Sequence, residues 1–136
     1  METQVIYYSK TGNTRKLAEA IAKELSVTAE DVDNAQLQSG SFIFLGTGSY
    51  GKEPGKPMEK FIERNDLTSR NVALFGTSGS GKGSEVGFME TMLQKKEAVI
   101  KGKFFCKGKF LILNRGRPND KDLIDARTFA RSVITR

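Results

Sequence analysis

Short apolar runs that each end in a segment rich in glycine and hydroxyl residues constrain the fold of this chain more than any other feature. Residues 5–8, 42–45 and 72–75 form these runs, and none of them alternates between apolar and polar side chains. Such runs are typical of strands that are buried on both faces. Helically spaced apolar residues follow each run, first between residues 15 and 25. The pattern predicts an α/β fold with helices on both faces of a parallel sheet.

The rest of the chain extends the same alternation. A weak, exposed strand is expected at residues 27–32, and a final helix from about residue 120 to residue 135, whose apolar spacing includes Ile124. Residues 95–113 mix lysines with strand-forming residues, so the sequence does not define the strand boundaries there. With no repeat or linker in its 136 residues, we expect a single domain over residues 1–136.

Composition narrows the chemistry that is open to the chain. The absence of histidine excludes Ser-His and Cys-His nucleophile pairs, and a single cysteine excludes an internal disulfide or a multi-cysteine metal site. That residue, Cys106, stands beside a phenylalanine and is expected to be a buried structural thiol. The first residues lack a signal pattern, and no apolar run reaches the ~20 residues of a membrane helix. We therefore expect a cytoplasmic protein that does not contact membranes.

The segment after the first predicted strand has the composition of an anion site. It opens directly into a helix, whose first backbone N–H groups attract negative charge. An ordinary capped helix start is the alternative, but the density of polar groups around one glycine favours a bound phosphate. The candidate residues are Ser9, Lys10, Thr11, Gly12, Asn13 and Thr14.

This segment and the strand before it resemble the phosphate-loop signature of flavodoxins. The matching positions are Val5, Ile6, Tyr7, Ser9, Gly12, Thr14, Ala18 and Ile21, around a Thr-Gly-Asn-Thr core. The resemblance continues through the order of strands, the later loops and the chain length. It implies a flavodoxin-like three-layer α/β/α sandwich, with a five-stranded parallel sheet in the order 2-1-3-4-5. It also implies flavin mononucleotide (FMN) at the sheet edge, with its phosphate in this loop.

The resemblance assigns two further segments to the flavin ring. Tyr50 would stack on one face, and the Gly51 peptide would bond the reduced ring. The other face usually meets an aromatic residue that this chain lacks, which leaves backbone, a remote aromatic such as Phe88, or no cover at all. The candidate residues in the two segments are Thr47, Gly48, Ser49, Tyr50, Gly51, Lys52, Thr77, Ser78, Gly79, Ser80 and Gly81.

A rival interpretation concerns residues 76–83, which nearly match the P-loop of nucleoside triphosphatases. Gly76, Gly81 and Lys82 have the required spacing, but Gly83 stands where that motif has a magnesium-binding Ser or Thr. The motif also belongs after the first strand of its fold, and this segment follows a later one. Both departures favour the flavin interpretation.

The charge balance points to a partner. The chain has 22 Lys and Arg against 16 Asp and Glu, a net charge of +6, although flavodoxins are generally acidic. Basic residues are dense between residues 101 and 117, where phenylalanines interleave with them. We expect this region to dock an acidic redox partner protein. Binding of nucleic acid is the less favoured alternative.

These features together predict a flavoprotein that carries electrons on bound FMN between a reductase and an acceptor enzyme. A non-enzymatic carrier is favoured, because no residue set indicates turnover of a substrate without the cofactor. An FMN-dependent reductase component, an oxidoreductase acting on a small molecule, is one alternative. Another is a flavin-free module of the same fold that binds a different phosphate ligand or a partner.

Overall fold

A computed structural model of the protein describes residues 2–110 and 113–135, and strands and helices alternate along them. The strands are β1 (Thr3–Tyr8), β2 (Ala29–Asp31), β3 (Phe42–Gly48), β4 (Asn71–Ser78) and β5 (Val99–Lys107). The helices are α1 (Asn13–Glu24), α2 (Lys56–Arg64), α3 (Ser84–Lys95) and α4 (Asp120–Val133). None of these helices combines the length and apolar composition needed to cross a membrane.

The strands form one sheet in the order β2-β1-β3-β4-β5, and all neighbouring pairs are parallel. This confirms the predicted fold and strand order. The register pairs Tyr8 with Thr47, Gly48 with Thr77, and Ser78 with Lys107. The carboxyl ends of β1, β3, β4 and β5 therefore meet at one edge of the sheet.

Two hydrophobic cores explain why the strand sequences do not alternate. Phe44 and Phe75 point into the core beneath α1 and α4, whereas their neighbours Leu45 and Leu74 point into the core beneath α2 and α3. All four side chains are fully buried. Because both faces of the sheet are covered, a central strand has apolar residues at consecutive positions.

The structure corrects the expected extent of two loops. β3 and β4 continue past their apolar runs, so Thr47, Gly48, Thr77 and Ser78 are strand residues rather than loop residues. Glycine in this part of β3 reflects close packing, since a Cβ at Gly46 would collide with the Phe75 ring. The sequence analysis took such glycines as the ends of the strands.

β5 fills the segment whose boundaries the sequence did not define. It lies at the edge of the sheet, and over residues 103–107 its side chains alternate between exposed and covered positions. Phe105 is exposed, whereas Cys106 is buried, so the expectation of a buried thiol is confirmed. Burial raises the pKa of the Cys106 thiol to about 12.

One apolar residue of α4 was placed wrongly. Ile124 was included in the apolar spacing of this helix, yet it is 60% exposed. The buried positions of α4 include Ala126, Ala130 and Val133. Two residues correspond to about 200° around a helix, so Ile124 lies nearly opposite Ala126.

A lysine at the end of α3 closes the last turn of α2. The Lys96 ammonium donates hydrogen bonds to the backbone carbonyls of Ile62 (2.8 Å), Glu63 (2.7 Å) and Asn65 (2.6 Å). Carbonyls at a helix end lack partners within the helix, and a cation there also complements the helix dipole. This contact fixes α2 against α3 beneath the sheet.

We expect Lys96→Met to lower the free energy of unfolding by about 1–3 kcal/mol, because it removes hydrogen bonds from a charged donor while keeping the apolar stem. Urea denaturation provides the measurement. Lys95→Met, at an exposed position of the same helix, is the control and should change stability by less than about 0.5 kcal/mol. Equal losses in the two variants would contradict the role of Lys96.

Candidate functional site

Three loops at this edge follow β1 (the first loop, residues 9–12), β3 (the second loop, residues 49–55) and β4 (the third loop, residues 79–83). The first loop leaves the start of α1 without a side-chain cap at the N-cap position. Gly12 adopts a left-handed backbone with φ 94°, which glycine tolerates best. The Ser9 hydroxyl accepts a hydrogen bond from the Gly12 N–H at 3.0 Å and closes the turn. The N-cap residue Gly12 has no side chain to cap the helix, so within the described residues the N–H groups of its first turn remain for water or an anion.

A buried pair of hydroxyls joins this loop to the centre of the sheet. Thr14 Oγ1 and Thr77 Oγ1 lie 2.9 Å apart, and both residues are buried. Thr14 lies in the first turn of α1 and Thr77 lies near the end of β4. Their hydrogen bond fixes the start of α1 over the sheet edge.

The second loop is a tight turn that reaches back to the first. Tyr50 N–H donates to the Glu53 carbonyl at 2.8 Å, and Gly51 and Lys52 between them have positive φ. The Tyr50 hydroxyl accepts a hydrogen bond from the Lys10 N–H at 3.1 Å. Its ring makes an edge contact with Tyr8, with centroids 5.7 Å apart. Burial raises the pKa of Tyr50, so the hydroxyl stays protonated.

The loop after β5 joins the same edge, which the sequence analysis did not anticipate. Gly108 N–H donates to the Ser78 carbonyl at 2.9 Å. The side-chain amide of Asn13 donates to the Lys109 carbonyl at 2.9 Å, and that of Asn114 donates to the Gly79 carbonyl at 2.7 Å. Two asparagine side chains thus tie this loop to the first and third loops.

The loops enclose an open cleft of about 230 Å³. Its walls include many of the candidate residues, namely Lys10, Thr11, Asn13, Thr14, Gly48, Ser49, Tyr50, Thr77, Ser78 and Gly79. From the loop after β5, the described residues that line the cleft are Gly108, Lys109 and Phe110. These residues directly follow a strand, as the other cleft loops do, but the sequence did not show this because it did not define where β5 ends. Phe88, considered as a cover for the ring, does not line the cleft.

The other candidate residues lie around the cleft rather than in its wall. Ser9 and Gly12 shape the first loop, and Gly51 and Lys52 form the exposed turn. The Thr47 hydroxyl is buried, where it accepts from the Gly55 N–H and donates to the Gly48 carbonyl, each at 3.0 Å. Ser80 accepts from the Lys82 N–H at 3.3 Å, and Gly81 donates to the Ser78 hydroxyl at 2.9 Å.

Comparison with known proteins assigns this architecture. A family model described as a flavodoxin domain matches residues 4–112. The chain belongs to the flavodoxin family. A flavodoxin of Clostridium beijerinckii is 34% identical over 109 residues, which cover 71% of this chain and 79% of that protein. An uncharacterized protein of Methanocaldococcus jannaschii is 28% identical, and the match covers 98% of this chain and 99% of that protein.

Solved structures share the flavodoxin fold over nearly the whole chain. A flavodoxin from the domain Archaea has a TM-score of 0.80 and 21% sequence identity, and the match covers 98% of this chain and 96% of that one. The P-loop interpretation loses its basis within this fold. Gly76, the first residue of the rival motif, lies inside β4 and not in a loop.

One carboxyl group of this flavodoxin is buried beneath the third loop. Glu85, in the first turn of α3, is fully buried and packs over Gly76, where a Cβ would collide with its carboxyl group. Neither carboxyl oxygen has a hydrogen-bond partner in the described part of the chain. Burial raises the pKa of Glu85 to about 7, and the opposing effect of its own backbone N–H is smaller. The site therefore contains a buried acid that stays protonated in mildly acidic solution.

We expect Glu85→Gln to remove part of the pH dependence of stability. The folded carboxyl keeps its proton up to about pH 7, whereas the unfolded chain loses it near the ordinary pKa of 4.5. The free energy of unfolding should therefore fall as the pH rises from 4.5 to about 7, by about 3 kcal/mol, and then level off. The glutamine variant lacks this decline.

Urea denaturation across this pH range measures the effect. Glu63→Gln, at an exposed position of α2, is the control and should keep the wild-type decline. A wild-type decline in the Glu85→Gln protein would show that this carboxyl does not titrate as the burial requires.

Proposed function

We propose that this flavodoxin binds FMN in the cleft and carries electrons between a reductase and an acceptor enzyme. The observation that carries the proposal is the convergence of an uncapped helix start, two lysines (Lys10 and Lys109) and Tyr50 on one cleft. A phosphate and an aromatic ring are the two chemical groups that such walls suit. Membership of the flavodoxin family supports the same cofactor.

The residues present fit the two ends of FMN. At the phosphate end, the first turn of α1 offers backbone N–H donors, Thr11 a hydroxyl and Lys10 a positive charge. At the ring end, Tyr50 offers an aromatic side chain whose hydroxyl is already hydrogen-bonded. Bound FMN supplies the redox chemistry, by taking up and releasing one or two electrons. The protein binds and orients it.

The small size of the cleft supports transfer to another protein. Its volume of about 230 Å³ is below the ~300–1,000 Å³ of pockets that enclose a ligand. A bound flavin would therefore remain partly exposed at the sheet edge. An exposed edge suits electron exchange between proteins, because the cofactor stays within reach of a partner that docks over it.

The phosphate end can be tested with Thr11→Asp. A carboxylate there would repel the FMN phosphate, and two like charges ~4 Å apart near a protein surface repel by about 4 kcal/mol. We expect the affinity for FMN to fall at least ~100-fold and the affinity for riboflavin, which lacks the phosphate, to stay within about twofold. Quenching of flavin fluorescence on titration gives both dissociation constants.

Thr28→Asp is the matched control, since Thr28 is exposed and precedes β2 at the opposite edge of the sheet. It should bind both flavins as the wild type does. Wild-type protein that is colourless after incubation with FMN and desalting, without absorption bands near ~375 and ~450 nm, would overturn the proposed function. In that case the first loop would remain only an anion site.

We further propose that the redox partner presents an acidic surface. Three exposed lysines, Lys82, Lys107 and Lys109, form what we call the basic rim. Lys109 lines the cleft, Lys82 lies on the third loop, and Lys107 packs along Gly81 of that loop. Together with the net charge of +6, the rim would attract acidic partners and orient them over the flavin.

We expect electron transfer to an acidic ferredoxin to slow at least ~10-fold between ~20 and ~300 mM salt, because salt screens the attraction. Lys107→Glu should slow the reaction at low salt. Lys23→Glu, which changes the charge equally at an exposed position at the far end of α1, should have little effect. Stopped-flow absorbance measures the rates, and a rate independent of salt would contradict an acidic partner.

A further inference from the structure

A phenylalanine that no motif assigns lines the cleft. Phe110 is 57% exposed, and it follows β5, on the side of the third loop where the chain has serines instead of an aromatic residue. Ligand-binding clefts are lined mainly by hydrophobic and aromatic side chains. Phe110 is therefore available to contact a ligand in this cleft.

Contacts with several segments of the chain fix the position of Phe110. Its backbone forms a two-way bridge with Leu113, through hydrogen bonds of 3.0 Å and 2.8 Å. The preceding carbonyl, that of Lys109, accepts the bond from Asn13. A Cβ at Gly79 would lie 3.4 Å from the Cβ of Phe110, so the residue packs against the third-loop backbone. The first loop, the third loop and the bridge together hold it at the cleft.

The sheet sets the spacing between the two strands that precede the aromatic residues of the cleft. Tyr50 follows β3 and Phe110 follows β5, with β4 between them. Neighbouring strands are ~4.8 Å apart, so β3 and β5 are about 10 Å apart. A flat ring in contact with an aromatic surface on each side needs about 7–8 Å. Two strands at this separation are compatible with one planar ring between the residues that follow them.

We propose that Phe110 forms the second wall of the ring-binding site, opposite Tyr50, and selects a planar aromatic group. The proposal rests on the proposed FMN site and deepens it. It gives the role of the missing third-loop aromatic to a residue from a different strand end. Serine and glycine in the third loop then leave room for the Phe110 side chain to approach the cleft.

The test compares Phe110→Ala with the wild type for two ligands, FMN and riboflavin. Stacking of a base on an aromatic side chain is typically worth ~10- to 100-fold in affinity, so we expect both dissociation constants to rise by that factor. The two factors should agree, because the contact involves only the ring, which both ligands share. Flavin fluorescence should also be quenched less in the variant.

Two further variants serve as controls. Phe110→Tyr keeps the aromatic face and should retain wild-type affinity. Phe105→Ala removes a phenylalanine of β5 that is 42% exposed and packs over Gly83, outside the cleft wall. It should bind both flavins as the wild type does. Urea denaturation confirms that each variant folds.

The outcomes separate this inference from the proposed function. If wild-type protein binds FMN and Phe110→Ala binds each flavin as tightly as the wild type does, the inference is wrong and the proposed function stands. If only FMN binding weakens, Phe110 acts at the phosphate end and the inference is again wrong. If wild-type protein binds neither flavin, the proposed function fails and the inference fails with it.

Discussion

The parallel pairing of β1, β3, β4 and β5 is the constraint on which the cleft depends. It brings four strand ends to one edge, and the loops that follow them come from distant parts of the chain. Parallel ladders fix the height of each strand against its neighbour, so the Thr14–Thr77 hydroxyl bond forms only in this register. A slip of β4 by one residue would turn Thr77 to the other face of the sheet. The hydrogen bond that fixes the start of α1 over the sheet would then be lost.

Just beneath this edge, the core contains polar side chains whose surroundings differ. The hydroxyls of Thr14 and Thr77 satisfy each other, and that of Thr47 satisfies backbone groups. Glu85, close to them, has no hydrogen-bond partner among the described residues and is buried as an acid. Satisfied hydroxyls rigidify the edge, whereas an unsatisfied carboxyl lowers stability where it ionises. The rigidity of the site and its sensitivity to pH thus come from adjacent groups.

The sequence predicted the strands that are buried on both faces and the weak edge strand β2, but it did not define the bounds of the other edge strand, β5. Apolar runs such as residues 42–45 identified the central strands, because a strand covered twice has no polar alternation. β5 did not stand out, since exposed lysines interrupt its apolar residues. Glycines that make room for Phe75 and Glu85 resembled turns. Phe110 was also missed, because contacts between distant segments, and not a local sequence pattern, bring it to the cleft.

The edge position of β5 has a consequence for how copies of this protein behave in concentrated solution. An uncovered edge strand offers backbone groups on which another chain can add a strand, a common route to aggregation. Exposed lysines along such an edge oppose this, because two identical positively charged edges repel each other. Lys107 occupies such a position on β5, whereas the exposed Lys103 ammonium is paired with the Glu90 carboxylate at 3.0 Å. Lys107 belongs to the basic rim proposed to attract an acidic partner, and its charge would also oppose pairing between the β5 edges of two copies.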